Sequence, residues 1–235
     1  MDYKTQWVEY PDIASTLSPQ SVHPPPLKEP ANHPNSVVPN EPGEDPYTVP
    51  AMRIGNIHLM DSASLATFLE GQYPSPSLHV SPLIQEVEKM TRRVLGPTQA
   101  IWLPLVSRNI LNPYSKEYFD RTRSESLGKS LEAYHKEEGG EEAWIQALPA
   151  LKAFGEIFGK EEGPFVKGDV GKYLTVQCHR RMLLTTVVSY SDFIILSWLQ
   201  FFKTIDESLL KKVVEIEPTL GELYDAGKAW LARVD

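Results

Sequence analysis

The segment from Pro46 to Leu69 constrains this chain more than any other. It runs Pro46-Tyr47-Thr48-Val49-Pro50-Ala51-Met52-Arg53-Ile54-Gly55, then Asn56-Ile57-His58-Leu59-Met60, then Asp61-Ser62-Ala63 and on to Leu69. It reads as strand, strand, and a helix opened by an acid and a serine, two residue types that cap helix starts. That helix is expected to end near Gly71, before Pro74.

Bulk properties set the background. The chain has 235 residues, room for one large domain or two small ones. A net charge of -8 works against nucleic-acid binding, and no basic run offsets it. The longest apolar stretch, Phe193 to Phe202, is broken by Ser197 and Gln200 and is far short of the ~20 residues of a membrane span. Met1-Asp2-Tyr3-Lys4-Thr5 lacks the apolar core of a secretory signal. The single cysteine, Cys178, forbids an internal disulfide or a Cys-x-x-Cys pair. A reduced, cytoplasmic setting is the simplest expectation.

Four zones follow one another. Tyr3 to Tyr10, with Trp7 and Val8, suits a short strand. Pro11 to Pro46 is rich in proline, which lacks the amide donor and restricts φ. The third zone is the strand-strand-helix block. From Ser81 onward the chain reads as helical. Leu83, Ile84, Val87, Met90 and Val94 form one apolar face. Asn112-Pro113 is a cap followed by proline at the first helical position, and opens a charged amphipathic run from Tyr114 to His135. Gly139-Gly140 ends that run. Glu142 to Gly159 predicts another helix with Trp144, Leu148, Leu151, Phe154 and Phe158 on its apolar side. Ser189-x-x-Asp192 is a capping box for a further apolar helix, with Val188 and Phe193 spaced for a hydrophobic staple.

An incomplete α/β unit followed by a helical unit resembles the glutathione S-transferase family. The resemblance rests on Tyr47-Thr48-Val49-Pro50-Ala51, on Met60-Asp61-Ser62-Ala63-Ser64-Leu65 and on the Ser189-x-x-Asp192 box, with Gly168-Asp169 upstream. Tyr118 to Glu132 and the opening Tyr3 to Ile13 are similar to a fungal branch with etherase-like and secondary-metabolite-pathway members. The resemblance implies an α+β chain: a thioredoxin-like domain over residues 1–80, and an all-α domain over residues 81–235. It implies that Pro50 is cis and that Val49 offers its backbone to the cysteinyl part of glutathione. It also implies that Asp61 and Ser62 hold the γ-glutamyl group. A helix N-terminus with a serine suits a carboxylate, and an aspartate suits an ammonium.

Three departures from the family pattern stand out. The strand and helix that usually carry the thiolate-stabilising Tyr, Ser or Cys are expected before Tyr3, so no catalytic residue is assigned. The chain then reads as truncated there, with a weakened sheet. The stretch Pro24 to Pro46 occupies the place of a second helix, which leaves the glycyl-end contact unassigned. Residues 171–187 read as an insertion between Asp169 and Ser189. Gly171-Lys172-Tyr173 is encodable as GGT-AAG-TAT, which contains a splice-donor GTAAGT, so the insertion reads as translated intron.

The expected activity is transfer of glutathione thiolate to an apolar, electrophilic small molecule, in detoxification or secondary metabolism. Glutathione is then a co-substrate, no metal is needed, and a homodimer is compatible with the family. The alternative is a non-catalytic ligand-binding or scaffold protein of the same fold. Neither the six histidines nor Cys178-His179 show metal-ligand spacing. Arg121 and Arg123 have two readings, a cleft lining or an ion-paired helix face.

Overall fold

The computed structural model describes residues 3–18, 47–158, 163–166 and 188–232. Residues 19–46 of the proline-rich zone, Gly168-Asp169 and the 171–187 insertion lie outside these residues, while the start of that zone, read as a loop, is helical over Ile13–Leu17 because it holds no proline after Pro11. The described chain forms two compact units. One draws on Met1–Pro74 and Gln99–Ala143, the other on Ser75–Thr98 and Trp144–Val234.

In the first unit, strands β1 (Ala51–Ile54) and β2 (Ile57–Met60) pair antiparallel, with Ala51 opposite Met60 and Ile54 opposite Ile57. Gly55 takes φ 57°, the left-handed conformation that a two-residue hairpin loop requires at its first position. A helix over Ser62–Gln72 follows, close to the predicted end. A shorter helix, Ile13–Leu17, precedes the hairpin. These two are α2 and α1 in chain order. Leu17 and Met60 form a small core with Ile13, Tyr47 and Ala51 packed against it.

The expected strand over Tyr3–Tyr10 is not formed. Residues 3–9 have no regular structure, and Tyr10–Asp12 is a 3-10 turn leading into α1. The Glu9 carboxylate and the Tyr10 amide bond to a helix instead of a neighbouring strand. Helix α5 (Pro113–Leu127) follows α3 (Leu83–Leu95) and α4 (Gln99–Asn109) in the chain. Its cap, Asn112, accepts from the Ser115 amide at 3.0 Å and donates to Glu9 Oε1 at 2.6 Å. Ser115 Oγ donates to the other Glu9 oxygen and accepts from the Tyr10 amide at 3.1 Å. A carboxylate at a helix N-terminus meets both unpaired amides and the positive end of the dipole. The Tyr10 ring then lies edge-on to Phe119, 5.5 Å between centroids.

The charged run from Tyr114 to His135 is two helices, α5 and α6 (Leu131–Glu138). Gly128 ends α5 at φ 66°, and Ser130 accepts from the Ala133 amide at 3.1 Å to start α6. A glycine in the left-handed region followed by a serine cap stops a helix whatever its amphipathic pattern. Helix α6 is held on α4 by Tyr134, whose hydroxyl donates to Gln99 Oε1 at 3.1 Å, and by His135 Nδ1, 2.9 Å from the Ala100 carbonyl oxygen.

The second unit is helical: α3, most of α7 (Glu141–Phe158), α8 (Tyr190–Ile205), α9 (Glu207–Ile216) and α10 (Pro218–Leu231). Of the predicted apolar face of α3, Ile84, Val87, Met90 and Val94 are buried, and Leu83 is half-buried. On α7, Trp144, Leu151, Phe154 and Phe158 are buried, but Leu148 is 41% exposed. The inward face advances 144, 147, 151, 154, 158, alternating steps of three and four. Ala147, fully buried, takes the place assigned to Leu148. Trp198 of α8 packs against Phe154 and Phe202 with centroids 6.0 and 5.6 Å away. Phe193 is half-buried and lies edge-on to Trp230 at 6.3 Å. The Ser189-Asp192 capping box forms, and the Asp192 carboxylate at its centre is fully buried.

Candidate functional site

The hairpin register determines which residues share its open end. Because Ala51 faces Met60, the next positions outward are Pro50 and Asp61. Opposed residues in an antiparallel pair lie ~5 Å apart at Cα. Val49-Pro50 and Asp61-Ser62 therefore gather at one end of one hairpin. The Val49–Pro50 peptide is cis. The Thr48 amide points to Met60 Sδ at 3.0 Å, tying the residue before Val49 to the residue before Asp61. Val49 and Pro50 are exposed.

Asp61 is the N-cap of α2 and sits at φ 81°, ψ 126°. A non-glycine residue with positive φ is sparsely populated and costs about 1–3 kcal/mol, a cost that concentrates at ligand-contacting sites. Its Oδ2 accepts from the Ser64 amide at 3.1 Å and from Ser64 Oγ at 2.9 Å. Its carbonyl accepts from the Leu65 amide at 2.9 Å. Two of the first α2 amides are thus satisfied internally, while Ser62 at the first helical position is exposed. Ser62 offers a hydroxyl and an amide at the positive end of the helix, the donor set that a carboxylate takes. Asp61 caps the helix while presenting negative charge beside it.

Other sequence candidates resolve differently. Arg121 pairs with Glu125 at 3.6 Å and stands over the Tyr118 ring at 5.6 Å. Arg123 covers Phe119 at 5.1 Å. This is the ion-paired, ring-stacked helix face. Burial pushes the Tyr10 phenol above its usual range, and the Arg123 charge opposes that shift. A polar triad that the sequence did not signal joins α4 to α5. Lys116 Nζ donates to Ser107 Oγ at 2.7 Å and pairs with Asp120 at 3.2 Å, and Ser107 donates to Asp120. The charged partners of this triad are half solvent-exposed and Ser107 is buried, so it ties two helices together. The geometry assigns no catalytic residue. Among the described residues no group of three metal-ligating side chains forms, and no helix is long and apolar enough to cross a membrane.

Comparison with known proteins places these features in context. The family model of the glutathione S-transferase C-terminal domain matches residues 85–219. The chain is 29% identical to the glutathione S-transferase-like protein ustS of Aspergillus flavus, over 97% of this chain and 78% of that protein. Its fold is similar to the glutathione S-transferase CsGST83044 of Ceriporiopsis subvermispora, crystallised in complex with glutathione. That match has a TM-score of 0.70 and 19% identity, and covers 97% of this chain and 85% of the other. It is also similar to the glutathione transferase GSTFuA3 from Phanerochaete chrysosporium, with a TM-score of 0.60, 23% identity and coverage of 92% and 84%. The β1-β2-α2 unit is then the latter part of a thioredoxin-like domain, followed by a helical C-terminal domain. The chain belongs to the glutathione S-transferase family.

Proposed function

We propose that the chain binds glutathione at the open end of the β1-β2 hairpin and presents its thiolate to an electrophilic small molecule. The domains would divide near residue 80, with glutathione held by residues 1–80 and the apolar co-substrate met by residues 81–235. Val49 would align the cysteinyl backbone beside Pro50. Ser62 and the α2 amides would take the γ-glutamyl carboxylate, and Asp61 its ammonium. In the reaction the sulfur forms a bond to an electrophilic carbon, and a leaving group or an ether oxygen departs with the bonding electrons. The residue that lowers the thiol pKa has no assignment in this reading. A cytoplasmic, homodimeric enzyme of detoxification or secondary metabolism is consistent with it.

One observation carries the reading. Asp61 is held at φ 81° as a helix cap, in register with Pro50, with exposed Ser62 next to it. The choice of ligand is supported by the similar transferase of Ceriporiopsis subvermispora, which was crystallised with glutathione. The test is retention on glutathione-agarose, followed by turnover of a chromogenic electrophile. Retention with turnover supports the whole proposal. Retention without turnover leaves a non-catalytic binding protein. Passage straight through the column overturns it.

A further inference from the structure

Met60 reaches both sides of the Val49-Pro50 dipeptide. Its backbone pairs with Ala51, the residue after Pro50. Its sulfur takes the amide of Thr48, the residue before Val49, at 3.0 Å. The next residue in the chain is Asp61. The strand ladder ends at the Ala51–Met60 pair, and Pro50 has no amide with which to extend it. Among the described residues, Met60 Sδ is the acceptor of the Thr48 amide. Met60 is itself held firmly: it is 4% exposed, in a small core with Leu17, with Ile13, Tyr47 and Ala51 packed around it. Packing asks only for apolar volume at this position, and leucine would supply it. The thioether adds what leucine lacks, a hydrogen-bond acceptor, though a weak one.

We propose that Met60 is a positioning residue for the ligand of the hairpin end, and that its sulfur, through the Thr48 amide, sets the Val49-Pro50 backbone relative to Asp61 and Ser62. The inference rests on the glutathione reading of that end and adds a residue to it. Met60 acts through Thr48 and not by touching the ligand. Glutathione spans both halves of the site, its cysteinyl part at Val49 and its γ-glutamyl part at Asp61-Ser62. A ligand that bridges two contacts loses affinity when the spacing between them changes.

The test compares two variants of the full chain. Met60→Leu keeps the volume and removes the acceptor. Met60→Gln places a carbonyl acceptor at similar reach but buries a polar amide. Glutathione affinity is read by calorimetry, stability by the urea midpoint, and the Thr48 amide by its exchange rate in NMR. Met60→Leu is expected to bind glutathione roughly threefold to tenfold more weakly, the worth of one neutral hydrogen bond. Its urea midpoint should move by no more than about 0.5 M. Met60→Gln should hold glutathione within about twofold of wild type, yet unfold at the lower midpoint. The two orders then cross, whereas a packing role alone gives the same order for both. The Thr48 amide should exchange faster in Met60→Leu than in wild type. If Met60→Gln does not fold, the affinity and exchange rate of Met60→Leu decide. Unchanged glutathione affinity in Met60→Leu overturns the inference and leaves the glutathione reading standing. An unchanged Thr48 exchange rate overturns the sulfur contact itself. A wild type that binds no glutathione overturns that reading, and the inference with it.

Discussion

Asp192 Oδ1 accepts the backbone amide of Val166 at 2.7 Å across 26 positions of sequence. Its other oxygen accepts from the Ser189 amide at 2.8 Å and from Ser189 Oγ at 2.7 Å. One buried side chain thus caps α8 and pins a distant piece of backbone to the same point. Asp192→Ala leaves two buried amides without acceptors, each costing ~1–3 kcal/mol. The expected loss is roughly 2–5 kcal/mol in urea unfolding, with Asp192→Asn intermediate. A loss under about 1 kcal/mol for the alanine variant would show that water replaces the carboxylate.

Gly155 tests packing against propensity. Alanine in a helix interior normally gains about 1 kcal/mol over glycine. Here its Cβ would stand 2.8 Å from the carboxylate of Glu217, a buried residue held by Thr219 Oγ1 at 2.9 Å. Gly155→Ala is expected to destabilise by ~1–3 kcal/mol, the range for overpacking. In the Glu217→Ala background the same change should be neutral or stabilising. Gly71→Ala, with open space around its Cβ, should stabilise.

Acid stability depends on the cap of α9. Hydrogen bonds from the Ser208 side chain and then its amide hold the Asp206 carboxyl below its usual pKa, the amide at 2.8 Å. A depressed folded-state pKa contributes stability that is present above the unfolded value of ~3.9 and lost as pH falls through the folded value. The stability difference between wild type and Asp206→Asn should be flat above about pH 5 and shrink below about pH 4. A difference that persists unchanged to low pH would place the stabilisation elsewhere.

Ser62 separates binding from folding. Its side chain is exposed at the start of α2, so Ser62→Ala should change unfolding free energy by no more than about 0.5 kcal/mol. Glutathione affinity, measured by calorimetry, should fall by about tenfold, the worth of one hydrogen bond to a charged group. Unaltered affinity would remove Ser62 from the site.

Most of the hairpin end is legible in the sequence because its information is local. Val49-Pro50, the Gly55 turn and the Asp61-Ser62 cap each act within a few residues, and the register carries them to one place. The helix starts at Asn112 and Ser189 are legible for the same reason. The break at Gly128 is hidden because the apolar and charged pattern continues across it. Leu148 falls one position from the inward face because that face alternates steps of three and four, and a small Ala147 hides in the alternation. The strand expected at Tyr3–Tyr10 does not form, and Glu9 and Tyr10 at its end bond to residues more than a hundred positions away, which local patterning does not register.

The sequence by itself determined the elements: hairpin, caps, apolar helix faces and family membership through motifs at short spacing. Tertiary structure alone decided which charges are paired, which amide Asp192 holds and where Glu9 docks. Turns and caps are short-range equilibria between a residue and its neighbours. Ion pairing, burial and cavity shape depend on side chains that only folding brings together.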